Sequence, residues 1–329
     1  MAESIWILIV CSKFMFILIM VVNSEDVETN NKCTYSANKR ILNCVGLENI
    51  NKNLESFIKP GTQMLFIRDT RNATFHLNHH THPNYANLVS YQILNSQYFL
   101  PNQGAFLGLS NVQYMEIHDN VWQRIEDNAF IGLRNLEVLN LANNHIKKLN
   151  TYAFKHLSKL RNLDLSQNSL EVIPSYVFEN LSELEALYIN NNFVKIVEEN
   201  AFLGLPQLSM LFLTNNSLEY INADDFNKLK YLDHLHINFN KIKTINGQFN
   251  LPKLKFLQIS NNKLRHLENN VFEQCSNLLS IDLSRNNLKS LSEEPFLKLD
   301  SLRHLNLYNN YVDLSKFLLL RENTAIIHN

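Results

Sequence analysis

One pattern of apolar residues returns along most of the chain, and it decides what the chain can become. Leu136, Leu139 and Leu141 are followed by Asn144, Ile146, Leu149, Phe154 and Leu157. The frame returns 24 residues later as Leu160, Leu163, Leu165, Asn168, Leu170, Ile173, Phe178 and Leu181. It returns again from Leu184 to Leu205 and from Leu208 to Leu229. A helix would favour apolar returns at three and four residues; the alternation Leu139-x-Leu141 suits a half-buried strand. One such unit cannot bury its own leucines, whereas stacked units build one continuous core.

The register extends both ways. Forward, Leu232, Leu235, Ile237, Asn240, Ile242, Ile245 and Phe249 fit a unit shortened to 22 residues. Two full units follow, through Asn262 and Asn286, and a partial one ends at Asn310 and Val312. Backward, Val112 to Leu133 fits, and so does Leu88 to Leu109 with Ser96 in the asparagine place. Leu65, Ile67 and Thr70 suggest one degenerate unit before that. This is the frame of the leucine-rich repeat, and the chain resembles that family over roughly residues 62–312, about ten repeats. Among its subtypes it resembles the extracellular class, as in Toll-like receptor ectodomains, Slit-type guidance proteins and arthropod secreted immune proteins. The resemblance implies an α/β-type solenoid: a horseshoe with a parallel β-sheet on the concave face and an irregular or short-helical convex side.

A chain of 329 residues exceeds the usual compact domain, but a solenoid escapes that limit because each coil packs only on its neighbours. With a formal charge of −1 and 45% hydrophobic residues, no nucleic-acid surface or disordered acidic tail is expected. Residues 1–24 open with an apolar run and end in Val22 and Ser24, small enough for a signal-peptide cleavage site. The alternative is a retained anchor, against which Lys13 stands, because charge at the bilayer centre is expensive. No second apolar run is long enough to span a membrane.

Residues 25–61 are expected to form an N-terminal cap. Cys33 and Cys44 flank two short strands around the polar turn Ser36-Ala-Asn-Lys39, and this resembles the family's N-terminal cap. A disulfide there would stabilise the end by about 2–3 kcal/mol. Cys275 is left over, in the place held by Leu133 and Leu157 in other coils. It is either a buried thiol acting as a small hydrophobe or a handle for an intermolecular disulfide. Residues 313–329 form either an apolar lid over the last coil or a tail that leaves the end open to a second chain.

The repeat assigns roles by column. The asparagines from Asn120 to Asn310 sit where the chain leaves each strand, and their amides can satisfy loop N–H and C=O groups inside the core. The phenylalanines from Phe106 to Phe296 form a second core column on the convex side. Residues between the leucines point into the concavity, where Tyr188, Met210, Phe212, His234, His236 and Phe256 gather in adjacent coils. An exposed aromatic cluster with a polar rim is a candidate protein-binding patch. The competing reading is that these side chains only cover cross-strand neighbours.

His234 and His236 could chelate a metal or sense pH, but the sequence places no third ligand beside them. His76, His79, His80 and His82 match no structural zinc spacing, and no metal or cofactor is expected. Asn72, Asn180 and Asn215 head glycosylation sequons, and a glycan on Asn215 would screen one rim of the patch. The chain carries no GxGxxG, P-loop, HExxH or GxSxG motif. The expectation is a secreted, non-enzymatic protein that recognises an extracellular protein ligand or receptor, as monomer or homodimer, in innate immunity or in modulating Toll-type signalling. The alternative is an adhesion or structural component acting through dimerisation.

Overall fold

The computed structural model describes residues 33–47, 54, 57–70, 83–96, 101, 104–289, 291–313, 315, 317 and 324–327, and the backbone of 27–30. Residues 1–24, expected to be a signal peptide, the histidines at 76, 79, 80 and 82, and the sequon at Asn72 lie outside the described residues. The chain winds as a solenoid. Its principal sheet has 15 strands in chain order, with short convex connections between them. Successive strands from Ile41–Val45 to Ala325–Ile327 are parallel, each repeat shifted onto the next without slip. Leu139, Leu163, Leu187, Leu211, Leu235 and Leu257 therefore fall directly beside one another and are fully buried.

The asparagine column performs the backbone duty its position implies. Asn168 Nδ2 donates to Leu141 O of the preceding coil at 2.9 Å and to Leu165 O of its own at 3.0 Å. Its Oδ1 accepts the Ile146 N–H at 3.0 Å. The same arrangement recurs at Asn192, Asn216, Asn240, Asn262 and Asn286. Ser96, in the asparagine place, is too short to reach back; its hydroxyl donates only to Leu94 O, within its own coil. Left unmade, each of these bonds would leave a buried backbone group unpaired, at about 1–3 kcal/mol.

The phenylalanine column is a continuous stack on the convex side. Neighbouring rings from Phe106 to Phe202 lie 5.7–6.5 Å apart and near parallel. The stack tilts at Phe226 and turns edge-on against Phe249, where the 22-residue coil brings the next ring in early. The coil before it carries the short helix Ala223–Phe226, capped by Asn222. Elsewhere, among the described residues, the connections are turns, the 3-10 turns Pro83–Asn87 and Glu294–Phe296, and short parallel pairs such as Val172–Ile173 with Ile196–Val197.

The ends differ from the repeats. Cys33–Ser36 and Ile41–Val45 form an antiparallel hairpin at the first end of the sheet's parallel run, closed by a Cys33–Cys44 disulfide. At the other end Phe317 stacks on Phe296, adding a ring to the convex column. Ala325–Ile327 then returns as a last parallel strand beside His304–Asn306. The sheet thus continues past the last residues of the recognisable repeat frame. Cys275 is buried, with its thiol directed at Phe249 O, 3.5 Å away. Burial pushes its pKa up to about 11, so it behaves as an inert small hydrophobe.

Candidate functional site

Each concave strand is three to five residues long and presents two or three side chains inward. The middle column reads Glu116, Asn140, Asp164, Tyr188, Phe212, His236, Gln258, Asp282 and Asn306 along paired strands. The strand spacing of about 4.8 Å sets how these side chains meet. The Tyr188 and Phe212 rings stack at 4.9 Å with an interplanar angle of 7°. Phe212 and His236 follow at 4.7 Å, and in the column before them His234 lies 4.6 Å from Phe256. The two imidazoles lie 6.2 Å apart and nearly parallel, which links the two ladders.

The structure therefore brings Tyr188, Phe212, His234, His236 and Phe256 into one cluster, with Met210 beside Ala186 and His234 in the register. It also corrects their exposure. None of the six is fully exposed; each is half-buried, because upright rings one strand apart cover one another's faces. Only the ring edges and the end faces of the ladders remain open. Phe193 (56% exposed), Phe239 (53%) and Tyr311 (68%) are more open, and they lie outside the concave columns.

The electrostatics of this face are set by burial. His236 is held below the ordinary histidine range by desolvation, with His234 adding to it. Glu116 and Asp164 are both raised by burial; the Ser166 hydrogen bonds oppose the shift at Asp164. Tyr188 is raised by burial and by the charge of Asp164 beside it. His234 Nδ1 lies 2.5 Å from Asp233 Oδ1. Among the described residues no group of three His, Cys, Asp or Glu side chains is placed to hold a metal ion.

Two features escaped the sequence reading. The first is a ridge of charge along the entry edge of the concave strands. Arg161 pairs with Glu185 at 2.6 Å and Glu183 at 3.3 Å, and Lys255 reaches Asp233 at 3.8 Å. Together with Tyr231 these residues line an open hollow of about 680 Å³. The recurrence of charged residues in one repeat column, at Arg161, Glu185, Asp233 and Lys255, could have signalled it. The second is a column of left-handed residues at the strand exits, from Asp69 and Asn95 through Asn215 and Phe239 to Asn309. Most are Asn or Asp, which tolerate that conformation; Phe239, at φ 53°, does not share that tolerance. Asn215 is exposed and donates to Asn191 Oδ1 at 2.8 Å, while Asn180 is exposed as well.

The leucine rich repeat family matches in overlapping segments that run from residue 101 to residue 312. The chain belongs to the leucine-rich repeat family, whose members typically serve as protein-interaction modules. No curated protein matches the chain. Among solved structures it is similar to a chain of the octameric complex of Latrophilin 3, Unc5D and FLRT2 (LRR). There the identity is 22% and the TM-score 0.68, covering 82% of this chain and 85% of that one. It is also similar to the TLR13–ssRNA13 complex, at 22% identity and a TM-score of 0.56. That match covers 86% of this chain but 52% of the TLR13 chain, so this chain spans about half its length. An internalin (inlF) from Listeria monocytogenes matches at 16% identity and a TM-score of 0.52, over 88% of this chain and 86% of its own. Among the described residues no helix is long and apolar enough to cross a membrane.

Proposed function

We propose that the protein is a secreted, non-enzymatic recognition module that takes a protein partner on the middle of its concave face. The observation that carries this reading is the joined pair of ladders, Tyr188–Phe212–His236 and His234–Phe256, where the rest of the middle column from Glu116 to Asn306 is polar. Aromatic groups already ordered by stacking lose little conformational freedom on binding, which favours a small set of rigid anchors. Half-buried Glu116 and Asp164 on the same face disfavour a polyanion, so the reading is protein rather than nucleic acid. An open face of this kind offers no closed, water-excluded pocket for acid–base chemistry.

The test compares the wild type with the combined Tyr188→Ala, Phe212→Ala and Phe256→Ala variant as bait in extracellular fluid. The variant is expected to lose a partner that the wild type recovers and that a Phe193→Ala control still recovers. Equal recovery by both baits would overturn the concave-face reading. For export, terminal sequencing of protein collected from medium is expected to start after Ser24; a product held inside the cell contradicts it. We place the activity in innate immunity, on the resemblance to Toll-like ectodomains. Added protein is then expected to shift a Toll-pathway reporter, and the triple variant to leave it unmoved.

A further inference from the structure

The middle concave column contains a step. Asn140 and Asp164 are short, and the next residue along, Tyr188, is tall. Phe212 covers one face of the Tyr188 ring, 4.9 Å away and parallel to it. Because the strands run in the order 164, 188, 212, the other ring face looks back over Asp164, its register partner. The floor stays low across Asn140 until Glu116, two strand spacings or about 10 Å beyond Asp164.

Asp164 has no lysine or arginine partner among the described residues; the basic group of the chain that acts on it is His118, whose imidazole lies 3.9 Å from Glu116. One oxygen of Asp164 accepts the Ser166 N–H at 2.8 Å. Arg161, only three residues earlier, is committed to Glu183 and Glu185 on the edge ridge. The step thus combines a half-buried carboxylate, an upright aromatic face and a second carboxylate that has His118 at 3.9 Å, with no lysine or arginine among the described residues paired to either carboxylate.

We propose that this step receives an arginine side chain of the partner protein, its guanidinium flat on Tyr188 and paired with Asp164. A planar cation suits both surfaces at once: it stacks on a ring and donates two parallel N–H bonds to a carboxylate. A lysine ammonium would satisfy the charge but not the stack. Glu116 adds attraction from the far end of the shelf, and the Phe212–His236 rings take the apolar residues beside the arginine. The inference rests on the concave-face reading above but makes a narrower claim.

The test selects a displayed library of random dodecapeptides on the full chain and, in parallel, on D164N and Y188L. Asparagine keeps an oxygen for the Ser166 N–H, so D164N preserves the fold, and circular dichroism checks both variants. Wild-type selections are expected to be enriched in arginine over lysine, and both variants to lose that enrichment. A selected peptide resynthesised with citrulline for arginine, the same shape without the charge, is expected to bind the wild type about tenfold more weakly. The same exchange should leave binding to D164N unchanged. An output without arginine enrichment, or a citrulline penalty equal on wild type and D164N, overturns the proposal. If the triple aromatic variant loses its partner while D164N keeps it, this proposal fails and the concave-face reading stands.

Discussion

Replacing Asn192 with leucine tests how the coils are held. Its Nδ2 donates to Leu165 O at 2.9 Å, Asn190 O at 3.2 Å and Ile189 O at 3.3 Å, and its Oδ1 accepts the Leu170 N–H at 3.0 Å. Leucine keeps the volume and removes every bond. The three carbonyls are shared: Leu165 O still receives Asn168, Ile189 O receives Asn216, and Asn190 O receives the Gln167 N–H. Only the Leu170 N–H is left alone in the core. That orphan costs about 1–3 kcal/mol, and thinning the carbonyl bonds raises the expected loss for N192L to about 2–4 kcal/mol. Urea unfolding followed by circular dichroism measures it. N192D is the companion: its carboxylate keeps the Leu170 bond but faces three carbonyl oxygens. The folded state therefore raises that carboxyl's pKa, and the variant loses stability as pH rises through the carboxylate range. An N192L loss under about 0.5 kcal/mol, or N192D equal to wild type at neutral pH, would refute the role given to the amide.

Other outcomes follow from single positions. Gly204 has φ +88°, and a Cβ there would fall 2.1 Å from Glu179 O, so G204A is expected to lose about 2–3 kcal/mol in the same unfolding assay. Phe239 sits exposed in a left-handed conformation that asparagine tolerates, so F239N is expected to gain about 1 kcal/mol. Burial raises Asp164 above its unfolded value, so the native state holds its proton longer and stability falls as pH rises past the unfolded range. D164N is expected to melt higher than wild type at neutral pH and to lose that advantage in acid. His236 is shifted the other way, so protonating it opposes folding; its share of stability is whole at neutral pH and lost as pH falls below the ordinary histidine range. H236Q should flatten that part of a melting-temperature profile.

The long-range order of this molecule was legible because the residues that set it are repeated. A 24-residue step with Leu, Asn and Phe at fixed places states the strand, the turn and the convex packing together, and the shortened coil ending at Phe249 was visible from the same count. The final strand Ala325–Ile327 was not, because it lies outside the Leu-Asn-Phe frame; it is held by pairing to His304–Asn306 and by Ile326 packing on the core. Phe317 falls in the segment that the sequence leaves as either an apolar lid or an open tail, because its place on the phenylalanine stack depends on the coil beneath it. The six concave residues could be named from alternation alone. Their half-burial could not, since it arises from ring-on-ring contact between strands. The Asp164–Tyr188 step was hidden for a similar reason: side-chain height matters only once neighbours are known.

Hydroxyl-radical footprinting of the full chain, free and bound to the partner it captures, tests the central claim most directly. Tyr188, Met210, Phe212 and Phe256 carry oxidisable side chains on the concave face, while Phe193 and Tyr311 lie exposed outside its columns. The account expects oxidation of the first four to fall on binding while Phe193 and Tyr311 stay as reactive as before. Protection confined to Phe193, Tyr311 or the cap, with the concave four unchanged, would contradict it.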